Sequence, residues 1–589
     1  MKTAPFLVTE RRLCYNNCNY NKTKRRHVPQ VRYIDSVKYS FSNKHFPKEM
    51  MTDKLRSVNP ICLDILYNRG IENPVEMEAV LFPDLKRSLR ECPVLHDMDK
   101  AIDILADAVQ NRLPIVVYHD YDADGITSAA VFCDCMAHFD IPVYQYSNTR
   151  AVDGFGICAD GVDRIMEQHP DVKVLVTVDN GISGLTGVTR AKQYGLRVLV
   201  TDHHEQGRVL PGADAVVDPK RNDEPEGQYR DSCGAGVIWE IMLALYVRLG
   251  MDLSPVRDAL DIAALGTISD VVSLAGGKNR AIVHEGLKLM SEGRRPFFRV
   301  MKELFRFGEI TSELVAFQIT PKINAVSRME QDASQVVRLM LSTDETELRT
   351  GLSHLDELNI QRRQESDRET ELAEQYFADR EPGSILIFRD ASLKEGIVGI
   401  VAGKLKETYG LPSLVFAPDG KGSWKGSCRA PEGFHMKKAL DQVSDLLMAY
   451  GGHAKAAGVT VPDGNFEAFE ADMQKLAAGA EIPEEIVPID AVLPSASYTE
   501  SLCRELSILE PSGEGFPKPV FGLVADITDV RFMGNCRQHV KYLDRTGLSV
   551  IQWNMGDRAR ARRVFPRKFV GSPSLNFWNG TTSVQFICR

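Results

Sequence analysis

Three aspartates at alternate positions, Asp120, Asp122 and Asp124, follow the run Ile115-Val116-Val117-Tyr118-His119 and are closed by Gly125. The β-branched and aromatic residues of that run predict a buried strand, which puts the carboxylates in the loop at its end. Carboxylates this dense repel one another and are costly to hold together without a cation. Alone, such a cluster is ordinarily a solvated turn. Two more strand-like runs end in the same chemistry: Val174-Leu175-Val176-Thr177-Val178 leads into Asp179-Asn180-Gly181, and Val198-Leu199-Val200-Thr201 into Asp202-His203-His204-Glu205. Three strand ends offering carboxylate or imidazole point to a metal site. Oxygen donors with one or two imidazoles suit Mg2+ or Mn2+ better than a thiolate-seeking ion.

These ligands converge only if the strands lie side by side with their carboxyl ends along one edge, as in an open parallel sheet. Between residue 113 and about 341, strand-like runs alternate with helical patterns at 126–139, 184–194 and 234–249. That alternation predicts a parallel sheet with helices on both faces. Asp270, after Gly266-Thr267-Ile268-Ser269, is a further ligand candidate that in isolation reads as a helix cap or a surface turn. From 343 to 377 the chain is strongly charged, without proline and without glycine after Gly351, which predicts a long solvated helix bridging two domains. The second domain carries three small-residue stretches: 396–403, Ser427-Cys428-Arg429, and 451–458, which begins Gly451-Gly452-His453. Glycines beside Arg, His and Lys let a backbone approach phosphate while the cations neutralise it. Ser427, Arg429, Gly451, Gly452 and His453 are therefore candidate substrate contacts.

The remaining features bound the class. A chain of 589 residues with 43% hydrophobic composition suggests three or four domains. No apolar stretch approaches the ~20 residues that span a bilayer, and no signal-peptide pattern opens the sequence. A cytoplasmic, monomeric protein with no membrane partner is expected. Twelve cysteines without repeated CxxC pairs argue against a zinc site. Residues 1–50, with Lys22, Lys24, Arg25 and Arg26 clustered, read as an irregular basic tail. At the other end, residues 531–589 hold eleven Lys or Arg against two Asp, in a chain whose net charge is −9. Phe532, Tyr542, Trp553, Phe565, Phe569, Phe577 and Trp578 are interleaved with them. Cations beside aromatics suit single-stranded nucleic acid, although several of these rings are expected in the core of a small barrel.

The strings DYDADG (120–125), VDNGI (178–182), DHHE (202–205) and GTISD (266–270) occur in the order of the DHH phosphoesterase superfamily, which this chain resembles. From about residue 60 onward it is similar to the RecJ family of bacterial single-stranded-DNA exonucleases. The resemblance implies an α/β architecture. A parallel-sheet DHH domain with its lead-in (51–342) is joined by a long helix (343–380) to a smaller DHH-associated domain (381–478), followed by a C-terminal OB-type β-barrel (483–589). Residue by residue it implies two ions, Mn2+ or Mg2+. Asp122 and Asp179 would hold one, and Asp124, Asp179, His203 and Asp270 the other, with Asp120 and His204 beside the ions or facing phosphate. Arg328 stands where the family shows a Gly-Arg-Met pattern and is a candidate phosphate contact. Departures are His119 where many relatives have glycine, Tyr118 where some place a ligand histidine, and Leu393-Lys394 where Trp-His is usual. The implied activity is 5′-to-3′ hydrolysis of single-stranded DNA by two-metal-ion catalysis in recombination and repair. The implied partners are single-stranded DNA, a single-strand-binding protein and a RecQ-type helicase. The alternative is a DHH phosphodiesterase or phosphatase acting on short oligoribonucleotides or cyclic dinucleotides, whose members generally lack a basic aromatic C-terminus.

Overall fold

The structure, a computed structural model, describes residues 38–42, 44–148, 156–378, 380, 383–483, 486–534, 536–561, 566–578 and 581–589. The basic cluster at Lys22, Lys24, Arg25 and Arg26 lies outside the described residues. Where the tail reading reaches into them it fails: β1 (Lys38–Phe41) pairs in parallel with β12 (Ile486–Ile489). A four-residue strand whose partner sits at the far end of the chain leaves no local pattern to read.

The site is built on a wholly parallel sheet of β2 (Ile115–His119), β3 (Val143–Ser147), β4 (Val174–Val178), β5 (Arg197–Thr201) and β6 (Ala215–Val217), in the order β3-β2-β4-β5-β6. The chain crosses from β3 over β2 to β4, so connections leave the β2–β4 boundary in opposite directions. That switch point opens a crevice outside the carboxyl ends of the two strands. Alternate side chains serve two cores. Val117, Val176 and Leu199 pack among the helices Ala123–Met136, Gly234–Leu249 and Leu260–Ser269, while Val116, Tyr118, Leu175 and Val198 pack under Ala159–Gln168 and Leu185–Gln193. Coverage on both faces is why these strands are continuous apolar runs.

The charged segment forms one helix, Glu345–Ala378, of 34 residues. It is less solvated than its composition predicts. Leu348, Leu352, Leu355 and Leu358 form a stripe buried in the core of the parallel-sheet region, whereas Ala373 and Phe377 belong to the core of the following domain. One rigid element thus roots in both. The second domain is a mixed sheet of β7 (Leu386–Arg389), β8 (Ser413–Pro418), β9 (Ser423–Arg429), β10 (Ala449–Gly452) and β11 (Ala456–Pro462), in the order β10-β11-β9-β8-β7. Helix Glu395–Tyr409 packs across β8 and β9.

The C-terminal module is a seven-stranded sheet of β13 (Ala491–Pro494), β14 (Phe521–Val524), β15 (Ile527–Met533), β16 (His539–Asp544), β17 (Ser549–Gln552), β18 (Lys568–Trp578) and β19 (Thr581–Cys588). Tyr542 and Phe569 are core residues, whereas Trp553 is 50% exposed. The lead-in divides: residues 95–105 pack in the core of the parallel sheet, whereas residues 55–81 do not. Leu55, Leu63, Leu66 and Met77 share one apolar cluster with Leu509, Phe516, Phe521 and Phe586, and Arg69 forks onto Asp490 at 2.7 and 2.9 Å. Among the described residues no helix is long and apolar enough to cross a membrane.

Burying each such side chain contributes about 1.5–3 kcal/mol, and a domain's whole margin is about 5–15 kcal/mol. Ending the chain near Pro483 therefore bares more apolar surface than the lead-in can tolerate. The truncated chain is expected to bind a hydrophobic dye and to melt below the full chain, as read by dye fluorescence and circular dichroism.

Candidate active site

The first ligands are set where β2 gives way to helix Ala123–Met136. Asp122 is the exposed N-cap of that helix, accepting from the amides of Asp124 at 3.0 Å and Gly125 at 3.1 Å. A Cβ on Gly125 would stand 2.5 Å from the carbonyl oxygen of Asp120, so only glycine lets the helix start this close to the strand. Asn324 Oδ1 accepts from Ala123 N at 2.8 Å and fixes the same turn. Asp124 is buried at the N-terminus of helix Gly234–Leu249, accepting from Gly234 N at 2.6 Å and Ala235 N at 3.0 Å. Amide donors and the positive end of the helix dipole stabilise its charge.

The ends of β4 and β5 supply the rest. Asp179 holds φ +60°, the left-handed region that aspartate tolerates better than most residues. His203 Nε2 lies 3.0 Å from Asp179 Oδ1 and 3.6 Å from Asp124 Oδ2, and its Nδ1 lies 3.5 Å from Asp270 Oδ2. Asp270 is the C-cap of helix Leu260–Ser269, so the cap reading and the ligand reading of this residue coincide. Donor atoms fall into three sets, each within 4.8 Å: Asp120, Asp122 and Asp179; Asp124, His203 and Asp270; Asp179, His203 and His204. All seven candidates come together around Asp179. The geometry offers Asp120 and His204 as donors in their own right.

Burial, then the neighbouring Asp122 charge, pushes Asp120 and Asp124 each up to about 7. Asp179 and Asp270 are raised well above the usual carboxylate range by burial, then by the Asp124 charge. His203 is driven down to about 3 by burial and the nearby His204. His204 goes the other way: burial disfavours its charge, but Asp202 at 2.7 Å overrides this and lifts it to about 9. Asp202 also accepts from Ile182 N at 2.9 Å, which locks the triplet against β4. Asp120 Oδ1 and His203 Nδ1 are buried without a hydrogen-bond partner. Buried, mutually repelling carboxylates with unsatisfied donor atoms suit a cation, and an oxygen-rich set with one or two imidazoles suits Mn2+ or Mg2+.

Arg328 lines a cavity of about 350 Å3 with Asp120, Tyr121, Asp122, Ser269, Asn324 and Ser327, and its Nη1 donates to Gly396 O in the second domain at 3.1 Å. Ser427 and Arg429 face helix Glu395–Tyr409 just past its first turn, where a Cβ on Gly399 would lie 3.0 Å from Ser427 Oγ and 3.2 Å from Arg429 Nη2. Gly451 pairs with Gly458, and Gly458 with Ser427, so a row without bulky side chains crosses β10, β11 and β9. Gly452 and His453 continue from it into the exposed β10–β11 hairpin, and no described contact joins them to the acidic cluster. Leu393 is buried and Lys394 pairs with Glu365 at 3.4 Å. Tyr118 is fully buried in the core beneath the sheet. His119 is fully buried with Nδ1 2.7 Å from Asp120 O, and it belongs to none of the three donor sets. Sequence reasoning missed Asn324, Asp202 as the clamp of His204, and the Gly234–Ala235 amides. The glycines of Cys233-Gly234-Ala235-Gly236 were the available signal for the last.

Asp179→Asn withdraws a charge from two of the three sets. Its circular dichroism without metal is expected to match the parent, while the gain in melting temperature on adding Mn2+, worth about 2.7 kcal/mol per ion at a hundredfold excess over Kd, is lost. The parent has its own pH signature. Carboxyls raised from 3.8 to about 7 bind more protons folded than unfolded, so metal-free stability falls as pH rises between those values. Melting at pH 5 and pH 8 with chelator, then with Mn2+, checks this; the ion is expected to remove the fall.

Three family models match the chain: the DHH family N-terminal domain over residues 114–267, the DHHA1 domain over 383–479 and the RecJ OB domain over 489–589. The single-stranded-DNA-specific exonuclease RecJ of Bacillus subtilis is 31% identical over 560 residues, covering 92% of this chain and 68% of its own. That of Thermus thermophilus is 33% identical over 527 residues, covering 89% and 74%. The crystal structure of Thermus thermophilus RecJ in complex with Mn2+ superposes with a TM-score of 0.77 at 29% identity, covering 94% of this chain and 79% of that one. With the Asp-His-His triplet, the acidic strand ends and all three matched regions in one order, the chain belongs to the RecJ family of DHH proteins.

Proposed function

We propose that this protein is a single-stranded-DNA-specific exonuclease that hydrolyses phosphodiester bonds with Mn2+ or Mg2+. The observation that carries this is Arg328. It lines one cavity with Asp120 and Asp122 and also donates to Gly396 at the start of the second domain's helix. That bridge supports reading the acidic cluster and the glycine-lined sheet as two walls of one cleft, and the basic module at the end of the chain suits a long strand rather than a dinucleotide. Polarity from 5′ to 3′, a role in recombination and repair, and a single-strand-binding protein and RecQ-type helicase as partners rest on the family resemblance. The domain division into 51–342, 343–380, 381–478 and 483–589 belongs to the same proposal.

Asp120, Asp122 and Asp179 would hold one ion and Asp124, Asp179, His203 and Asp270 the other. Ions held by these residues would supply activation of a water and stabilisation of the leaving oxygen. The chain's own residues do the rest. His204, kept charged by Asp202, and Arg328 neutralise the scissile phosphate. Ser427, Arg429 and the helix start at Gly396 hold a neighbouring phosphate through donors and a helix N-terminus. The Gly451–Gly458–Ser427 row and His453 let the backbone of the strand lie close to β-sheet main chain.

A manganese-supplemented digest of long single-stranded DNA labelled at either end, beside a blunt duplex, a short RNA and a cyclic dinucleotide, tests the reading. Loss of label from single strands alone is expected. A blunt duplex cut equally fast, or the cyclic dinucleotide as the favoured substrate, sinks it.

The C-terminal module makes a separate expectation. Arg537 and Arg567 are exposed, as is Trp553. Each phosphate contact to a single strand contributes about −0.7 to the slope of log affinity against log salt. Arg537→Ala with Arg567→Ala is expected to flatten that slope by about 1.4, and Trp553→Ala to cost about 1–3 kcal/mol at unchanged slope. Titration of a long oligonucleotide at several salt concentrations reads both.

A further inference from the structure

Asp270 is followed by Val271, a β-branched residue that is 62% exposed and holds φ +61°. A β-branched side chain in the left-handed region is a genuine outlier, and it persists only when its surroundings over-determine it. The next residues are gripped from two sides. From the catalytic core, Asp231 Oδ2 accepts from Ser273 N at 2.8 Å and Asn279 Nδ2 donates to Ser273 O at 3.2 Å. From the C-terminal module, Glu514 O accepts from Leu274 N at 2.8 Å. A Cβ on Gly515 would collide with Ser273 Oγ, and one on Gly513 would lie 2.9 Å from Leu274 Cδ1. The two segments are packed to the last atom.

Arg280 ties the grip together. It is fully buried, and its guanidinium donates to four main-chain carbonyls: Val80 at 2.7 Å, Leu274 at 3.1 Å, Pro511 at 2.8 Å and Leu509 at 2.9 Å. Its Cζ lies 4.4 Å from the centroid of Phe516. One side chain therefore bonds the lead-in, the loop four residues past Asp270, and the C-terminal segment at once. Glu510 extends the contact by accepting from Ser312 Oγ at 2.6 Å.

We propose that residues 509–516, with Arg280, are a positioning element for Asp270, so that docking of the C-terminal module sets the geometry of the Asp124, His203 and Asp270 set. The inference rests on Asp270 being a metal ligand. These residues touch neither ion nor strand; they act through the backbone of 271–275. The module that holds the strand is then also part of what makes the ion site.

The test uses the full chain and Mn2+ alone as the probe. Gly515→Ala presses on Ser273, Arg280→Lys keeps the charge but not the fork, and Asp270→Asn is the control. Partners that orient metal ligands typically cost roughly 10–100-fold in metal affinity when lost. Calorimetry is expected to find one Mn2+ site of folded Gly515→Ala weakened within that range, with affinity for a single-stranded oligonucleotide in chelator unchanged, and with turnover regained when Mn2+ saturates. Ser273→Ala added to Gly515→Ala removes the colliding hydroxyl and is expected to restore part of the affinity. Parent-like Mn2+ affinity in folded Gly515→Ala, beside a weakened Asp270→Asn, overturns the positioning role. If Asp270→Asn itself binds Mn2+ as the parent does, the ligand assignment falls instead. Arg280→Lys, where it folds, must follow Gly515→Ala in direction.

Discussion

Asp120, Asp124, Asp179 and Asp270 are held in a space too dry for their charges, and much of the fold is arranged to keep them there. Two unit charges ~4 Å apart repel by about 4 kcal/mol at the effective dielectric of a protein surface, a large fraction of a domain's net stability. The chain offsets this with fixed dipoles and with the charged His204, which favours ionisation of Asp120, Asp124 and Asp270. Asp124 rests on the first amides of helix Gly234–Leu249, Asp122 on those of helix Ala123–Met136, and Asp202 is committed to His204. The remaining deficit is what a divalent ion would fill. Removing the crossover at β2–β4 would scatter the donors, because Asp120 and Asp179 meet only where neighbouring strands end in register.

The same demand for fixed distances explains the helix Glu345–Ala378. With leucines in the core of one domain and Phe377 in that of the next, it leaves little freedom to the cleft that Arg328 spans. On the proposed function, a strand in this cleft would meet carboxylates on one wall and amides, glycines and Arg429 on the other.

Legibility in the sequence followed the range of the interactions. The runs ending at Tyr118, Val178 and Thr201 were readable because strands covered on both faces are continuous apolar segments, and helix 234–249 because its period is regular. Asp120, Asp122, Asp124, Asp179 and the histidines of the Asp202–His204 triplet were readable as candidate ligands because each sits at such a strand end. What local pattern does not carry was not readable. Strand β1 has its partner near the other terminus, and the lead-in shares its core with residues 509–586. Asp270 looks like any helix cap until the distance to His203 is known. Arg280 looks like a surface arginine on an ordinary helix, since nothing near it in sequence reveals four carbonyls contributed by three separate segments.

That arginine also explains why the C-terminal module reads as a separate domain yet does not behave as one in the structure. A guanidinium taken wholly out of water is tolerable only with nearly all its donors satisfied, and here two of the four acceptors lie in residues 509–511. Undocking would strip those bonds and uncover the apolar cluster around Phe516 in the same step. The lead-in, the loop after Asp270 and the strand-binding module therefore share one docked arrangement. If Asp270 is a metal ligand as proposed, the affinity of the ion site would be set with this docking, by contacts that touch neither ion nor strand.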